Sequence, residues 1–246
     1  MAKWSPRLLL RRRFAIRAPD RVEELPSAGR LERSTQRRRK NGGPQGDRAM
    51  QWKNTEQEFG ALAKFLHWTV AAAFIGAYVV VYYVIWFMDD SSPDSLPVLN
   101  IHWVLGIFVG VLVVPRLYWR LLNVQPEEAQ TSELEKRIAQ AAHWGLYGLM
   151  ILMPLTGYIG TDADTDFALF KVPNFRETAL FAWIEVTCGI GWEAFEPPVD
   201  AIHHLVGKWI AWPVVGLHIA AALFHHLVRR DKILVRMLPH SSAPGV

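Results

Sequence analysis

The chain has 246 residues, 51% of them apolar, and its net charge of +4 conceals a strong asymmetry. Residues 1–48 carry a net charge of +9, whereas the rest of the chain carries −5. The single cysteine, Cys188, excludes an intrachain disulfide framework and a Cys-ligated zinc or iron–sulfur site, because each needs several thiolates. The nine histidines are therefore the only abundant metal ligands.

The basic segment 1–54 has no helical apolar period, and we expect it to be a disordered tail. Three interpretations of it remain open: a basic arm that touches anionic lipid head groups, an organelle transit segment, or a misassigned start with translation beginning near Met50. Five acidic residues in this segment weaken the transit interpretation. We expect residues 240–246 to form a short C-terminal tail.

Four windows in the body of the chain lack Asp, Glu, Lys and Arg, namely Phe65–Met88, Ser95–Pro115, Ile138–Thr161 and Trp209–Val228. At about 1.5 Å per residue, windows of about twenty residues cross a hydrocarbon layer of roughly 30 Å. We therefore predict an all-α fold, a membrane-embedded four-helix bundle over residues 55–239. Its spans are predicted at about 62–88, 98–120, 138–161 and 203–228.

Basic residues in the connections predict the orientation of the bundle. They lie around the connection between the second and third spans and at the end of the fourth span. These residues are Arg116, Arg120, Lys136, Arg137, Arg229, Arg230, Lys232 and Arg236. The opposite connections contain only Lys171 and Arg176. Because basic residues next to spans stay in the cytoplasm, both termini are predicted to be cytoplasmic.

The long outer connection, Asp162–Asp200, is the least regular part of the body. A loop of this length is usually functional or rests on a surface. We expect four of its aromatic residues to lie at the membrane interface, namely Phe181, Trp183, Trp192 and Phe195.

Histidines within the spans are the strongest functional signal, because an imidazole in a bilayer is costly unless it is coordinated or paired. His67 lies near the start of the first span and His102 near the start of the second. In the fourth span, His204 and His218 are fourteen residues apart, so both leave one face, about 21 Å apart along the axis. His203 is fifteen residues before His218, and periodicity alone barely favours His204 over it.

The predicted topology assigns partners to these histidines. His67 and His218 lie near the inner side, and His102 and His204 lie near the outer side. Two imidazole pairs stacked across a bilayer are what two b-type haems need, with each iron held by two neutral ring nitrogens. Such haems pass electrons and do not bind oxygen, because both axial positions are filled.

Residues from about Phe59 to Pro239 resemble the bacterial cytochrome b561 family of four-helix dihaem membrane proteins. The resemblance is carried by Leu-His-Trp at His67, Ile-His at His102, Ala-His-Trp at His143, Gly-Leu-His at His218, and the ending Arg-Asp-Lys-Ile-Leu-Val-Arg-Met-Leu-Pro. It implies His67, His102, His204 and His218 as haem ligands, which selects His204 over His203. It also implies a place in the bacterial cytoplasmic membrane, electron exchange with quinone and, in one branch, superoxide oxidation.

Other polar residues near the spans are candidates for supporting roles. Arg116 follows His102 by fourteen residues and reaches the inner depth, where it could clamp a haem propionate or anchor the span at the head groups. Lys208 follows His204 by one turn and is a candidate partner for a propionate of the outer haem, with a snorkelling side chain as the alternative. His143, His225 and His226 could border an inner quinone site, where a ring that titrates near neutral pH exchanges protons; ordinary interfacial histidine is the alternative.

Four functions are compatible with membrane-embedded histidines. We expect an oxidoreductase that moves electrons between an outer donor and membrane quinone, with no nucleic-acid partner. The alternative is a cytochrome b subunit that relays electrons for a partner dehydrogenase such as a hydrogenase or formate dehydrogenase. A di-iron oxygenase would need clustered histidines, and a transporter would be expected to carry Asp or Glu within its spans.

Overall fold

A computed structural model describes residues 51–89, 92–126 and 132–239. Residues 1–50 and 240–246 lie outside the described residues, so the predictions of a disordered N-terminal tail and a short C-terminal tail are not tested there. The structured body begins by Gln51, before the predicted boundary at Asn54, because the Asn54 amide donates to the Val124 carbonyl and accepts the Gly60 N–H. The Gln51 carbonyl accepts the Ala61 N–H as well.

Four long apolar helices confirm the predicted all-α bundle. The first three are α1 (Ala61–Phe87), α2 (Ser95–Leu122) and α3 (Glu133–Ile159). The fourth span, Trp192–Arg229, is one continuous helical rod made of α5 (Trp192–Leu205), a π-helical segment (Val206–Ala211), α6 (Trp212–Phe224) and a second π segment (His225–Arg229). The short helix α7 (Ile233–Met237) follows it.

Two of these helices begin well before their predicted spans. The third begins at Glu133 rather than near 138, because Ser132 and Glu135 form a capping box that satisfies its first N–H groups in water. The fourth begins at Trp192 rather than near 203 and carries Glu193 in its first turn. The absence of charge therefore locates the lipid-embedded part of a helix and not its ends.

The outer connection contains regular structure. It consists of a two-stranded antiparallel hairpin, β1 (Thr165–Asp166) with β2 (Lys171–Val172), a 3-10 turn (Phe175–Glu177), helix α4 (Ala179–Cys188) and the start of α5. Phe175, Phe181 and Trp192 form a buried cluster, which Phe195 joins from the side. Three of the four aromatic residues expected at the membrane interface therefore form the core of this connection, and only Trp183 points outwards.

The four spans pack in a ring. α1 packs on α2, α2 on α3, and α3 on the fourth span. Tyr78 closes the ring, because its hydroxyl donates to the Gly207 carbonyl across 3.0 Å. Two buried clusters hold the helices together, one built around Val70, Val109, Val113 and Tyr147 and the other around Met153, Val206 and Ala211.

We name the two ends of the bundle by what they carry. The basic end is where α1 begins, α2 ends and the fourth span ends, and it holds Arg120 and Arg229. The loop end is where α1 ends and α2 begins, and it holds the hairpin and α4. The side chain of Asn100, near the start of α2, ties that helix to the hairpin. Its Nδ2 donates to the Asp166 carbonyl, and its Oδ1 accepts the Asp166 N–H.

Asp164 should control the order of the loop-end connection. Its Oδ1 accepts the backbone N–H and the side-chain amide of Asn174, and these bonds hold the pKa of the carboxyl below its usual value. The stabilisation is present above the unfolded pKa of about 3.9 and is lost as pH falls through the lower folded pKa. We expect hydrogen exchange in residues 164–190, corrected for intrinsic rates, to increase in that acidic range.

Substitution of Asp164 by Asn should give the fast exchange already at neutral pH and remove the acidic transition. Asp162→Asn is the matched control, because Asp162 is exposed two residues away. Equal exchange in both variants would contradict this role of Asp164.

Candidate functional site

The structure brings the intramembrane histidines together in two groups, one at each end of the bundle. At the basic end, the ring centroids of His67 and His218 are 6.2 Å apart. At the loop end, the ring centroids of His102 and His203 are also 6.2 Å apart. His203 and His218 are separated by fifteen residues of one helical rod, which places the two groups roughly 20 Å apart along the span.

His203, and not the predicted His204, faces His102. The His204 side chain is 69% exposed, and its Nε2 lies 3.4 Å from Asp200 Oδ1. The π segment between Val206 and Ala211 explains the difference, because a π-helix has about 4.4 residues per turn instead of 3.6. Each residue of the π segment turns the helix through a smaller angle, so His203 and His218, fifteen residues apart, lie on the same side of the rod. His204, fourteen residues before His218, is turned away from that side. Periodicity of an ideal α-helix could not reveal this shift.

The π segment is held by a partner on α1. Widening the turn shifts the backbone hydrogen bonds, and the Tyr78 hydroxyl donates to the Gly207 carbonyl within the segment. Tyr82 supports the same region, since its hydroxyl accepts the indole N–H of Trp212 across 3.1 Å. Neither tyrosine stood out in the sequence, where both belonged to a run of apolar and aromatic residues.

The hydrogen bonds of the loop-end pair define its tautomers. His102 Nδ1 lies 2.9 Å from the Ala77 carbonyl, so Nδ1 must donate and carry the proton. Thr156 donates its own hydroxyl hydrogen to the Leu152 carbonyl, so its Oγ1 accepts from His203 Nδ1 across 3.0 Å. In the neutral form of both rings the free lone pair is therefore on Nε2, and this is the form that binds a metal.

A cavity of about 350 Å³ opens beside the loop-end pair. His102 and His203 line it, with Gly157 behind the second ring. A Cβ at Gly157 would come within 3.0 Å of the His203 ring, so the glycine lets that ring pack against α3. Lys208 and His204 lie at the rim of the same cavity, with the Lys208 ammonium 5.2 Å from the Trp209 ring.

At the basic end a third imidazole lies against the predicted pair His67 and His218. His143, predicted beside the quinone, lies with its ring centroid 5.7 Å from that of His218. Its Nδ1 is 2.7 Å from the Ala139 carbonyl, so its Nε2 also carries a free lone pair. His67 differs, because Arg116 Nη2 donates to its Nδ1 across 2.8 Å. In that arrangement the His67 proton lies on Nε2.

Arg116 is a largely buried cation with few partners. It contacts His67 and lies 5.7 Å from the centre of the Tyr147 ring, which Arg120 approaches equally closely. Within the described ranges, its buried Nε has no hydrogen-bond acceptor. A buried guanidinium with an unused donor is suited to bind an anionic oxygen.

The other two predicted quinone residues lie apart from His143. His225 Nδ1 is 2.5 Å from Asp231 Oδ2, and His226 is exposed. In the described part of the chain, no hydrogen bond or ring contact joins either of them to His143. Partial burial would raise the pKa of the Asp231 carboxyl, but hydrogen bonds from His225 and the Ile233 N–H keep it below its usual value. Arg229 pairs with Glu135 nearby and ties the fourth span to α3.

Comparison with known proteins identifies the family. Residues 58–240 match the family model described as prokaryotic cytochrome b561. The chain belongs to the prokaryotic cytochrome b561 family. It is a membrane cytochrome b of the electron-transfer type, and membership in this family implies that it binds b-type haem.

Three relatives illustrate the match. Cytochrome b561 homolog 2 of Escherichia coli is 26% identical over 79% of this chain and 98% of its own length. Cytochrome b561 homolog 1 of the same organism is 27% identical over 71% of this chain and 93% of its own length. The probable superoxide oxidase CybB of Yersinia pestis is 29% identical over 56% of this chain and 73% of its own length.

Tyr78→Phe tests the contact between α1 and the π segment. The substitution leaves the Gly207 carbonyl without its partner, which should lower the free energy of unfolding by about 1–3 kcal/mol. The measurement is the unfolding midpoint of the purified protein in detergent. Tyr83→Phe is the control, because the Tyr83 ring is exposed on the lipid-facing side of the same helix. Equal midpoints for the two variants would show that the Tyr78 bond is not needed.

Proposed function

We propose that the protein is a dihaem cytochrome b that moves electrons between a donor at the loop end and membrane quinone. The observation that carries this proposal is the presence of two imidazole pairs, each with 6.2 Å between ring centroids, at separate levels of the bundle. Two metal–nitrogen bonds of about 2.0 Å, plus about 1 Å from each nitrogen to its ring centre, require about 6 Å. The separation of each pair would therefore suit one haem iron held between its two rings.

The donor set supports haem over a bare metal ion. Among the described residues, no group of three or more His, Cys, Asp or Glu side chains could hold a metal ion. Each pair offers two imidazoles and suits a metal whose other ligands come from a macrocycle. When bound, haem supplies reversible one-electron chemistry, and the protein supplies spacing, ligation and charge.

At the loop end we assign His102 and His203 as the ligand pair, in place of His102 and His204. Their Nδ1 donors are already engaged, so Nε2 of each ring can bind iron without a change of tautomer. Lys208 remains our candidate partner for a propionate there, because it lines the same cavity.

At the basic end we assign His67 and His218 as the ligand pair, with Arg116 as the propionate partner. His67 would hold the haem through Nε2 with its ring proton on Nδ1, so Arg116 could no longer donate to Nδ1. The Nη2 and Nε of Arg116 would then be available to a propionate carboxylate. His143 lies close enough to compete for the same position, so its variant belongs in the test.

Proton exchange with quinone is assigned to the histidines of the basic end. Quinone reduction consumes two electrons and two protons. His225 is the best placed of the three predicted residues, since Asp231 orients its ring through Nδ1 and leaves Nε2 for proton transfer. His143 and His226 are the further candidates.

Orientation follows from the basic residues, which we propose to face the cytoplasm. The loop end then faces outwards, where superoxide is a candidate donor because one relative is named a probable superoxide oxidase. In the balanced reaction, two superoxide anions each lose one electron and become dioxygen, while one quinone gains two electrons and two protons.

Haem content tests the ligand assignment. The wild-type protein should show low-spin b-type spectra and two haems per chain. His203→Ala should retain one haem because the loop-end pair loses a ligand, whereas His204→Ala should retain two. His143→Ala should also retain two.

The measurement is a pyridine haemochrome assay with a redox titration of each variant, and His226→Ala serves as the exposed control. Loss of a haem in His204→Ala alone would restore the ligand that the family resemblance implies. A wild-type protein with one haem would overturn the dihaem proposal.

Rapid mixing tests the reaction. A pulse of superoxide should reduce the haems of the purified protein, which is followed as a change in their absorbance spectrum. Added quinone should then reoxidise the haems. Dithionite reduction is the control that the haems are loaded. A protein that dithionite reduces but superoxide does not, and that copurifies with an iron–sulfur partner, would instead be the relay subunit of a dehydrogenase.

A further inference from the structure

Helix α4 (Ala179–Cys188) is apolar around most of its circumference. Its sequence, Ala-Leu-Phe-Ala-Trp-Ile-Glu-Val-Thr-Cys, contains one charged residue, Glu185. A helix with so little polar surface is normally buried in a protein core or in a membrane. Its ten residues span about 15 Å, which is too short to cross a bilayer.

One face of α4 is buried against the end of a transmembrane helix. Phe181 and Ile184 pack into the cluster that includes Tyr158 and Ile159, the last two residues of α3. Phe175 lies between them, with its ring 5.8 Å from Phe181 and 6.1 Å from Tyr158. α4 is therefore held beside the loop-end terminus of α3.

A second face of α4 is apolar and uncovered. Leu180, Trp183 and Val186 are 57%, 60% and 86% exposed. They recur every three residues and form one stripe along the helix. At 100° per residue, Glu185 lies about 160° around the helix from the centre of this stripe. The charge is thus on the side opposite the stripe.

We infer that α4 lies in the plane of the membrane at the loop end, with Leu180, Trp183 and Val186 inserted into the adjacent lipid leaflet. Lipid is the occupant that the geometry favours, because α4 is packed on the end of an apolar span, where a short apolar helix meets the boundary between head groups and acyl chains. The central Trp183 is of the type enriched at membrane interfaces.

Membrane attachment of α4 would also hold the connection that borders the cavity beside His102. Thr161, Ala163 and Thr165 line this cavity and belong to the chain that leads into α4. Anchoring the far end of this segment in lipid limits how far it can swing from the cavity. The inference does not depend on which histidines bind haem.

Site-directed spin labelling tests the inference directly, since Cys188 is the only cysteine. In a Cys188→Ser background, single cysteines are placed at Leu180, Trp183 and Val186, and at the control position Glu185. Native Cys188, exposed and about 140° around the helix from the centre of the stripe, is the second control and is labelled in the unsubstituted chain. The nitroxide-labelled proteins are reconstituted into vesicles of phosphatidylethanolamine and phosphatidylglycerol. Collision with lipid-soluble oxygen and with a water-soluble nickel chelate is then measured for each.

We expect the oxygen-to-nickel collision ratio to be several-fold higher at the three stripe positions than at the two controls. Equal ratios at all five positions would overturn the inference. Low collision with both reagents at the stripe would also overturn it, because a second copy or another protein would then cover this face.

Labelling of the unmodified chain provides a second measurement that needs no substitution. A membrane-dissolved carbene reagent is activated in the same vesicles, and the peptide containing α4 is analysed by mass spectrometry. Adducts on Leu180, Trp183 or Val186 without adducts on Glu185 support insertion. An unlabelled α4 in vesicles whose four spans are labelled would refute it.

Discussion

The structure depends on the burial of imidazoles inside an apolar bundle. A histidine ring has two nitrogens to satisfy, and lipid offers no partner for either. The fourth span resolves this by presenting His203 to α2 and His218 to α1, so that one helix contributes to both groups. These two histidine contacts join the fourth span to α2 and to α1. The hydrogen bonds of Tyr78 and Tyr82 add further contacts between α1 and the fourth span.

The two ends of the bundle are prepared differently for a ligand. At the loop end, a backbone carbonyl and a threonine hydroxyl fix the protons of His102 and His203 in advance. At the basic end, Arg116 occupies His67, and a third ring, His143, crowds His218. With the ligand pairs proposed above, haem at the loop end would need no change of ring tautomer, whereas haem at the basic end would require Arg116 to give up its bond to His67. The charge of Arg116 would therefore be coupled to haem binding at the basic end.

Much of this architecture could be predicted from the sequence, because the bilayer imposes strong rules. Charge-free windows located all four spans, and the topology brought His67 to His218 and placed His102 opposite the start of the fourth span. The helix ends at Glu133 and Trp192 could not be predicted from those windows, because helices continue into water wherever caps satisfy their ends. The choice of His204 over His203 stays a prediction; that His203 is the ring facing His102 could not be read from the sequence, since a local change of winding leaves no apolar period to read. The partnership of His225 with Asp231 was missed because a turn, rather than helical spacing, brings the two together.

The π segment has a consequence for how the fourth span can respond to substitution. A π segment contains one residue more than the α-helical turns it replaces, so it changes which side chains share a face on its two sides. An α-helix without this segment would turn His204 towards the bundle interior and His203 away from it. The Tyr78 hydrogen bond to Gly207 therefore helps to decide which of two neighbouring imidazoles faces α2.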